Sequence, residues 1–99
     1  MTDPLDPREA TGTWRIAAAV DWRAWDGEVV AYNDRSGDTH HFADFAGWLF
    51  TQLTAAPADV ASLTAAAIDA VELRCGAPAA TVERTLALFR KLDLLDRVA

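Results

Sequence analysis

Glu28-Val-Val-Ala-Tyr-Asn-Asp-Arg-Ser-Gly-Asp-Thr-His-His-Phe42 is the stretch whose reading decides the fold. Val29, Val30 and Tyr32 are β-branched or aromatic, types that suit a pleated, half-buried surface. Asn33 to Gly37 is a run of turn formers, in which Gly37 can take the positive φ that closes a turn. Asp38 to Phe42 then resumes an extended segment that runs straight into a helix. The stretch reads as two short strands joined by a turn. The residues before it supply a partner for the first strand, and those after it build helices to cover the sheet.

Upstream, Trp14 to Trp25 is apolar with partial alternation: Val20, Trp22 and Ala24 on one face, Asp21, Arg23 and Trp25 on the other. Asp26-Gly27 is a strong hairpin signal, because a type I′ turn needs positive φ at both central residues. A loop of those two residues sets Trp25 opposite Glu28, Ala24 opposite Val29 and Trp22 opposite Ala31. One sheet face then collects Val20, Trp22, Ala24, Val29 and Ala31 as a core side. The other collects Asp21, Arg23, Trp25, Glu28, Val30 and Tyr32 and is wet. Residues 1–13, broken by Pro4, Pro7 and Gly12, develop no apolar period and read as a flexible lead-in to a domain over 14–99.

Downstream, the period becomes helical. Phe42, Ala46, Leu49 and Leu53 form a stripe broadened by Phe45 and Trp48, and Thr54 to Pro57 ends that helix. A second begins near Ala58-Asp59, with Asp59 as N-cap, and carries Val60, Leu63, Ala67 and Val71 on a thin apolar face. Gly76-Ala-Pro78 breaks the chain again. Thr81 and Glu83-Arg84 open a third helix that continues to about Leu95. Its Val82, Leu86 and Phe89 read as core, beside a second stripe of Arg84, Leu88, Lys91 and Leu95, with Leu92 between them. The order predicts an α+β domain: a three-stranded antiparallel sheet followed by three helices that cover one of its faces. The last strand, Asp38 to Phe42, has no outer neighbour in the chain. Short edge strands resist promiscuous pairing yet can accept a strand from a chosen partner.

Ninety-nine residues make one domain with a single modest core. The chain is 52% hydrophobic, but no run is long enough to span a bilayer, and the acidic, proline-broken start does not resemble a secretory signal. A lone cysteine, Cys75, forms no internal disulfide and fits a reducing, cytoplasmic compartment. Residues 1–72 hold four basic against twelve acidic side chains, a net of −8, while residues 73–99 hold five basic against three acidic, a net of +2. That balance does not suit nucleic acid, which needs several phosphate-facing cations. A mildly basic last segment suits either a solvated helix face or a short acidic peptide docked beside it.

No chemistry of its own is legible. His40 and His41 are adjacent, so on a strand they point to opposite faces and cannot chelate one ion together. Cys75 has no Cys-x-x-Cys or His-x-x-x-His beside it and reads as a small buried apolar residue. The five glycines are scattered, so no phosphate loop forms. No catalytic group, metal site or cofactor is expected.

Trp22-Arg-Ala-Trp-Asp-Gly27, Val29-Val-Ala-Tyr-Asn33, Ser36-Gly-Asp-Thr-His40 and the closing Leu88-Phe-Arg-Lys-Leu-Asp-Leu-Leu95 together resemble the PqqD-like peptide chaperones. More narrowly, they look like the branch found with HPr-related kinase-A systems. The resemblance covers roughly residues 14–96, and the Ser-Gly-Asp-Thr-His run is its most specific part. His41-Phe42 departs from it, standing where that branch has aliphatic residues.

The resemblance implies a small winged-helix-like domain, the RiPP recognition element, which binds the leader of a ribosomally made precursor peptide. The leader adds as a strand and lies between the last strand and the third helix; a modifying enzyme or an HPr-kinase-related protein then receives it. On this chain Asp38, Thr39, His40, His41 and Phe42 would supply backbone groups. Thr85, Leu88 and Leu92 would form an apolar wall, with Arg84 and Lys91 at its rim. For the Leu88/Leu92 stripe, core packing alone is the competing reading. A homodimer through an exposed strand is open. The rival function is a winged-helix DNA-binding regulator, against which stands the interleaving of the last helix's cations with Glu83, Asp93 and Asp96.

Overall fold

The computed structural model describes residues 12–26, 28–71 and 78–98. Along the chain these form β1 (Thr13–Ile16), β2 (Val20–Trp25), β3 (Glu28–Asn33), β4 (Thr39–Phe42), α1 (Asp44–Ala55), β5 (Ala58–Asp59), α2 (Val60–Val71), α3 (Pro78–Lys91) and β6 (Leu95–Val98). The architecture is α+β and winged-helix-like. β2, β3 and β4 make an antiparallel meander in chain order, and three helices lie among the described residues.

The hairpin register is the one its turn dictates: Trp25 faces Glu28, Ala24 faces Val29 and Trp22 faces Ala31, with Asp26 at φ 46°. The core side differs from expectation at β2. Val20, Val29 and Ala31 are buried, but Trp22 stays 44% exposed and Ala24 is exposed too. The reason is position. β2 is a sheet edge, where the Trp22 indole meets Phe50 of α1 edge-on at a centroid distance of 6.3 Å and otherwise borders an open cleft.

A second sheet, ordered β5-β1-β6, is not predicted by the sequence pattern. Trp14 to Trp25 is not one strand: Ala17 to Ala19 turn the chain, with the Val20 N–H donating to the Ala17 carbonyl at 3.0 Å. Thr13 already belongs to β1, and the rest of the lead-in, Gly12 apart, lies outside the described residues, as do Cys75 and the Gly76-Ala break. Nor does the third helix run to Leu95. It starts at Pro78, a residue suited to a first helical turn, and stops at Lys91. There Asp93 takes φ 60°, its N–H bonds the Arg90 carbonyl and the Leu94 N–H bonds the Phe89 carbonyl, each at 3.0 Å. This is a Schellman cap with aspartate where glycine is usual, and its hydrophobic closing residue Leu94 is fully buried. The chain is thereby released into β6, which pairs β1 with Thr13 opposite Val98 and Ile16 opposite Leu95.

Leu49, Val82, Leu86 and Phe89 fill the centre between sheet and helices as the helical stripes predict, and Phe50, which lies outside the predicted stripe, is fully buried with them. Asn33 is the buried polar residue among them, and each of its polar atoms has a partner. Its Nδ2 donates to the Asp93 carbonyl at 2.8 Å, while its Oδ1 accepts the Arg35 N–H at 2.9 Å and the Ser36 N–H at 3.4 Å. Its backbone N–H donates to the Asp38 carbonyl, and its carbonyl accepts from Gly37, which sits at φ 77°. Arg35 adds exposed ion pairs to Asp93 and Asp96 at 3.7 and 3.8 Å, which contribute little by comparison. Asn33→Ala leaves buried donors and acceptors unmatched, so we expect a loss of about 2 kcal/mol or more in urea unfolding, with the denaturant slope unchanged.

Asp59 caps α2 as its position predicts, its Oδ1 accepting the Ser62 N–H at 2.8 Å. That backbone bond, with help from the Ser62 side chain, holds the carboxyl below its ordinary value. A depressed folded value means the cap contributes fully above the ordinary carboxylate range and fades as pH falls through it. Asp59→Ala should therefore cost about 1 kcal/mol at neutral pH. Melts of the two proteins should converge below about pH 4.

Candidate functional site

β4 packs on α3 through the core, where three phenylalanines hold the two together. Phe42 on β4, Phe50 on α1 and Phe89 on α3 form a triangle, with ring centroids 5.9 Å (Phe42–Phe50), 4.9 Å (Phe42–Phe89) and 5.8 Å (Phe50–Phe89) apart. Such pairs add about 0.5–1.5 kcal/mol each beyond the area they bury. All three rings are buried, so β4 cannot swing away from α3 without opening the core. On its other side β4 pairs β3, with Val29 opposite Phe42 and Tyr32 opposite Thr39. Among the described residues nothing pairs its outer side.

Strand alternation decides which backbone groups face outward. The Asn33 N–H bonds the Asp38 carbonyl, so Val29, Ala31 and Asn33 direct their N–H and C=O groups toward β4. Their opposite residues His40 and Phe42 are consumed by that ladder. Thr39 and His41 therefore turn theirs to the open edge. Asp38 offers nothing: its carbonyl takes the Asn33 N–H, and its own N–H bonds the Ser36 hydroxyl at 3.3 Å. The resemblance implies backbone groups from all of Asp38 to Phe42; the register leaves those of Thr39 and His41.

The side chains divide the same way. Thr39 and His41 are exposed on the outer sheet face, where His41 Nε2 lies 3.0 Å from Glu28 Oε1. His40 is half-buried on the core-facing side, its ring stacked on Phe42 at 6.2 Å and its Nε2 buried with no hydrogen-bond partner among the described residues. On α3, Leu88 is half-buried against the core, and half-buried Leu92 follows at the helix end. Thr85 donates its hydroxyl proton to the Thr81 carbonyl at 2.9 Å, so what remains to a neighbour is its methyl group and an acceptor oxygen. Arg84 and Lys91 are exposed. Spacings of four place Arg84, Leu88 and Leu92 along one side of the helix. Phe89 and Asn33, which tie α3 to β4 and to the turn before it, read in the sequence as a core residue and a turn former. Their linking role depends on tertiary contacts that no local pattern carries.

Among the described residues no three His, Cys, Asp or Glu side chains converge to hold a metal ion, and no helix is long and apolar enough to cross a membrane. The arrangement is that of a winged-helix-like domain with an unpaired wing edge beside its last helix. Of solved structures, it is similar to TbiB1 in complex with the TbiA(beta) leader peptide, with a TM-score of 0.68 over 86% of this chain and 98% of that one. The two sequences are 22% identical, so the likeness is one of fold. No family model and no curated protein matches the chain.

The alternation along β4 has a direct readout. In the free protein the Thr39 and His41 amides should exchange with solvent deuterium much faster than those of His40 and Phe42, measured residue by residue by NMR. Equal protection of all four would mean that the edge is covered.

Proposed function

We propose that the chain is a noncatalytic adaptor of the PqqD-like, RiPP-recognition-element kind. It binds the leader of a ribosomally made precursor peptide as an added strand on β4 and presents it to a modifying enzyme. The observation that carries this reading is the unpaired β4 edge held against α3 by the Phe42–Phe89 contact. The fold shared with TbiB1, a protein solved with a leader peptide, supports it. The assignment to an HPr-related kinase-A system, with its kinase-related partner, rests on the residue resemblance alone.

The energetics say how such a guest is read. Thr39 and His41 offer two N–H and two C=O groups, so the ladder supplies at most four bonds of about 0.5–1.5 kcal/mol net each. Association costs consume much of that. The ladder therefore gives alignment without sequence preference. Selection falls to the wall of Thr85, Leu88 and Leu92, which would take one or two apolar guest side chains, with Arg84 and Lys91 favouring acidic residues alongside. Binding in the micromolar class is the expected result.

The test uses fluorescein-labelled synthetic leaders of short precursor frames encoded beside this chain, titrated by anisotropy. Wild type should bind one of them with micromolar affinity, whereas Leu88→Asp should bind it at least about tenfold more weakly, the loss of a good part of one buried leucine. Far-ultraviolet circular dichroism should not change, because Leu88 is only half-buried. Unchanged affinity in Leu88→Asp would remove the groove from the reading.

A further inference from the structure

Among the described residues the sheet has a second open edge, on β2, and its residues match themselves. Because β3 turns Glu28, Val30 and Tyr32 toward β2, their opposite residues Trp25, Arg23 and Asp21 are consumed by that ladder. Trp22 and Ala24 therefore direct both backbone groups outward, as does the Val20 carbonyl; the Val20 N–H is already given to Ala17. Exposed Asp21 and Arg23 flank Trp22 on the wet sheet face, and among the described residues neither makes an ion pair within its own chain. Trp22 is left 44% exposed on the opposite side, beside a cleft of about 310 Å³ bounded by Ile16, Val20, Leu53 and Pro57.

We propose that this edge pairs with the same edge of a second copy, antiparallel, about a two-fold axis through Trp22. In that register Trp22 stands opposite Trp22 and Val20 opposite Ala24. Asp21 then stands opposite Arg23 of the second copy, twice over. Four backbone bonds form: the two between the paired Trp22 residues, and one from each Ala24 N–H to the other copy's Val20 carbonyl. The one outward donor already spent, the Val20 N–H, falls at the end of the ladder and is not needed. Opposite charges directly across strands attract and like charges repel, so the Asp21/Arg23 order selects this register against its neighbours. The two tryptophans, large and poorly covered in one copy, meet at the axis. A strand from a different protein would need no such self-complementary order. β4 is untouched by the pairing, so the inference stands or falls separately from the guest site.

Sedimentation velocity on the full chain at about 100 µM, where a small edge-to-edge interface is populated, tests it. Wild type should sediment at twice its 10.7 kDa mass. Asp21→Arg and Arg23→Asp should each sediment as monomers, since each places like charges across the axis. Mixed one to one, they should regain the dimer, because every cross-strand pair is then opposite in sign. Ala24→Pro, which removes only an outward N–H and spares the β2–β3 ladder, should also be monomeric. A monomeric wild type, which would leave the edge to another protein's strand or to solvent, overturns the proposal. So does a charge or proline variant that stays dimeric, or a mixture that stays monomeric.

Discussion

The carboxamide of Asn33 is the constraint on which the arrangement depends. One side chain organises the turn after β3 through the Arg35 and Ser36 amides and, through Nδ2, grips the carbonyl of Asp93 at the end of α3. The turn and the helix terminus are sixty residues apart in sequence, yet neither can move without the other. Buried polar groups are tolerated only when fully satisfied, and the penalty for leaving them unmatched makes such a tie all-or-none. α3 is thus tied to the turn before β4 by this bond and to β4 itself by the Phe42–Phe89 contact.

Among the described residues the two edges of the sheet are equally unpaired, but they differ in character. β4 is short, backed by a helix and edged by a turn that spends its own polar groups, leaving two residues to offer bonds. β2 is longer and carries alternating charges and a bare indole. Edge strands are normally blunted by charge, brevity or cover. Here brevity protects one edge and charge the other, and neither device closes it to a partner with the right complement.

The meander is legible in the sequence because its signals are local. Asp26-Gly27 sets the register of β2 on β3, and the Asn33 to Gly37 turn sets β4, so residues alone name the open wing edge. The second sheet is not legible. β1, β5 and β6 are strands of four, two and four residues, too short to establish a period. Leu88, Leu92 and Leu95 keep a helical spacing straight through the point where α3 stops, and the residue that stops it is an aspartate in a conformation usually signalled by glycine. Alternation puts Trp22 on the correct face but not at its correct depth, since depth at a sheet edge depends on how far the helices reach. The candidate site is readable as a strand and a helix; which backbone groups face outward requires the pairing of Asn33 with Asp38.

The pairing of β1 with β6 carries a different consequence. Thr13 and Val98 face each other across that ladder, so the first and last described strands lie side by side. A domain tethered there at one point can be spliced into a longer protein, or have its ends joined and reopened at an exposed loop, without stretching its framework. Those two strands lie in a different sheet from the one that holds β4, so a change at one sheet's joined strands need not disturb the other's edge.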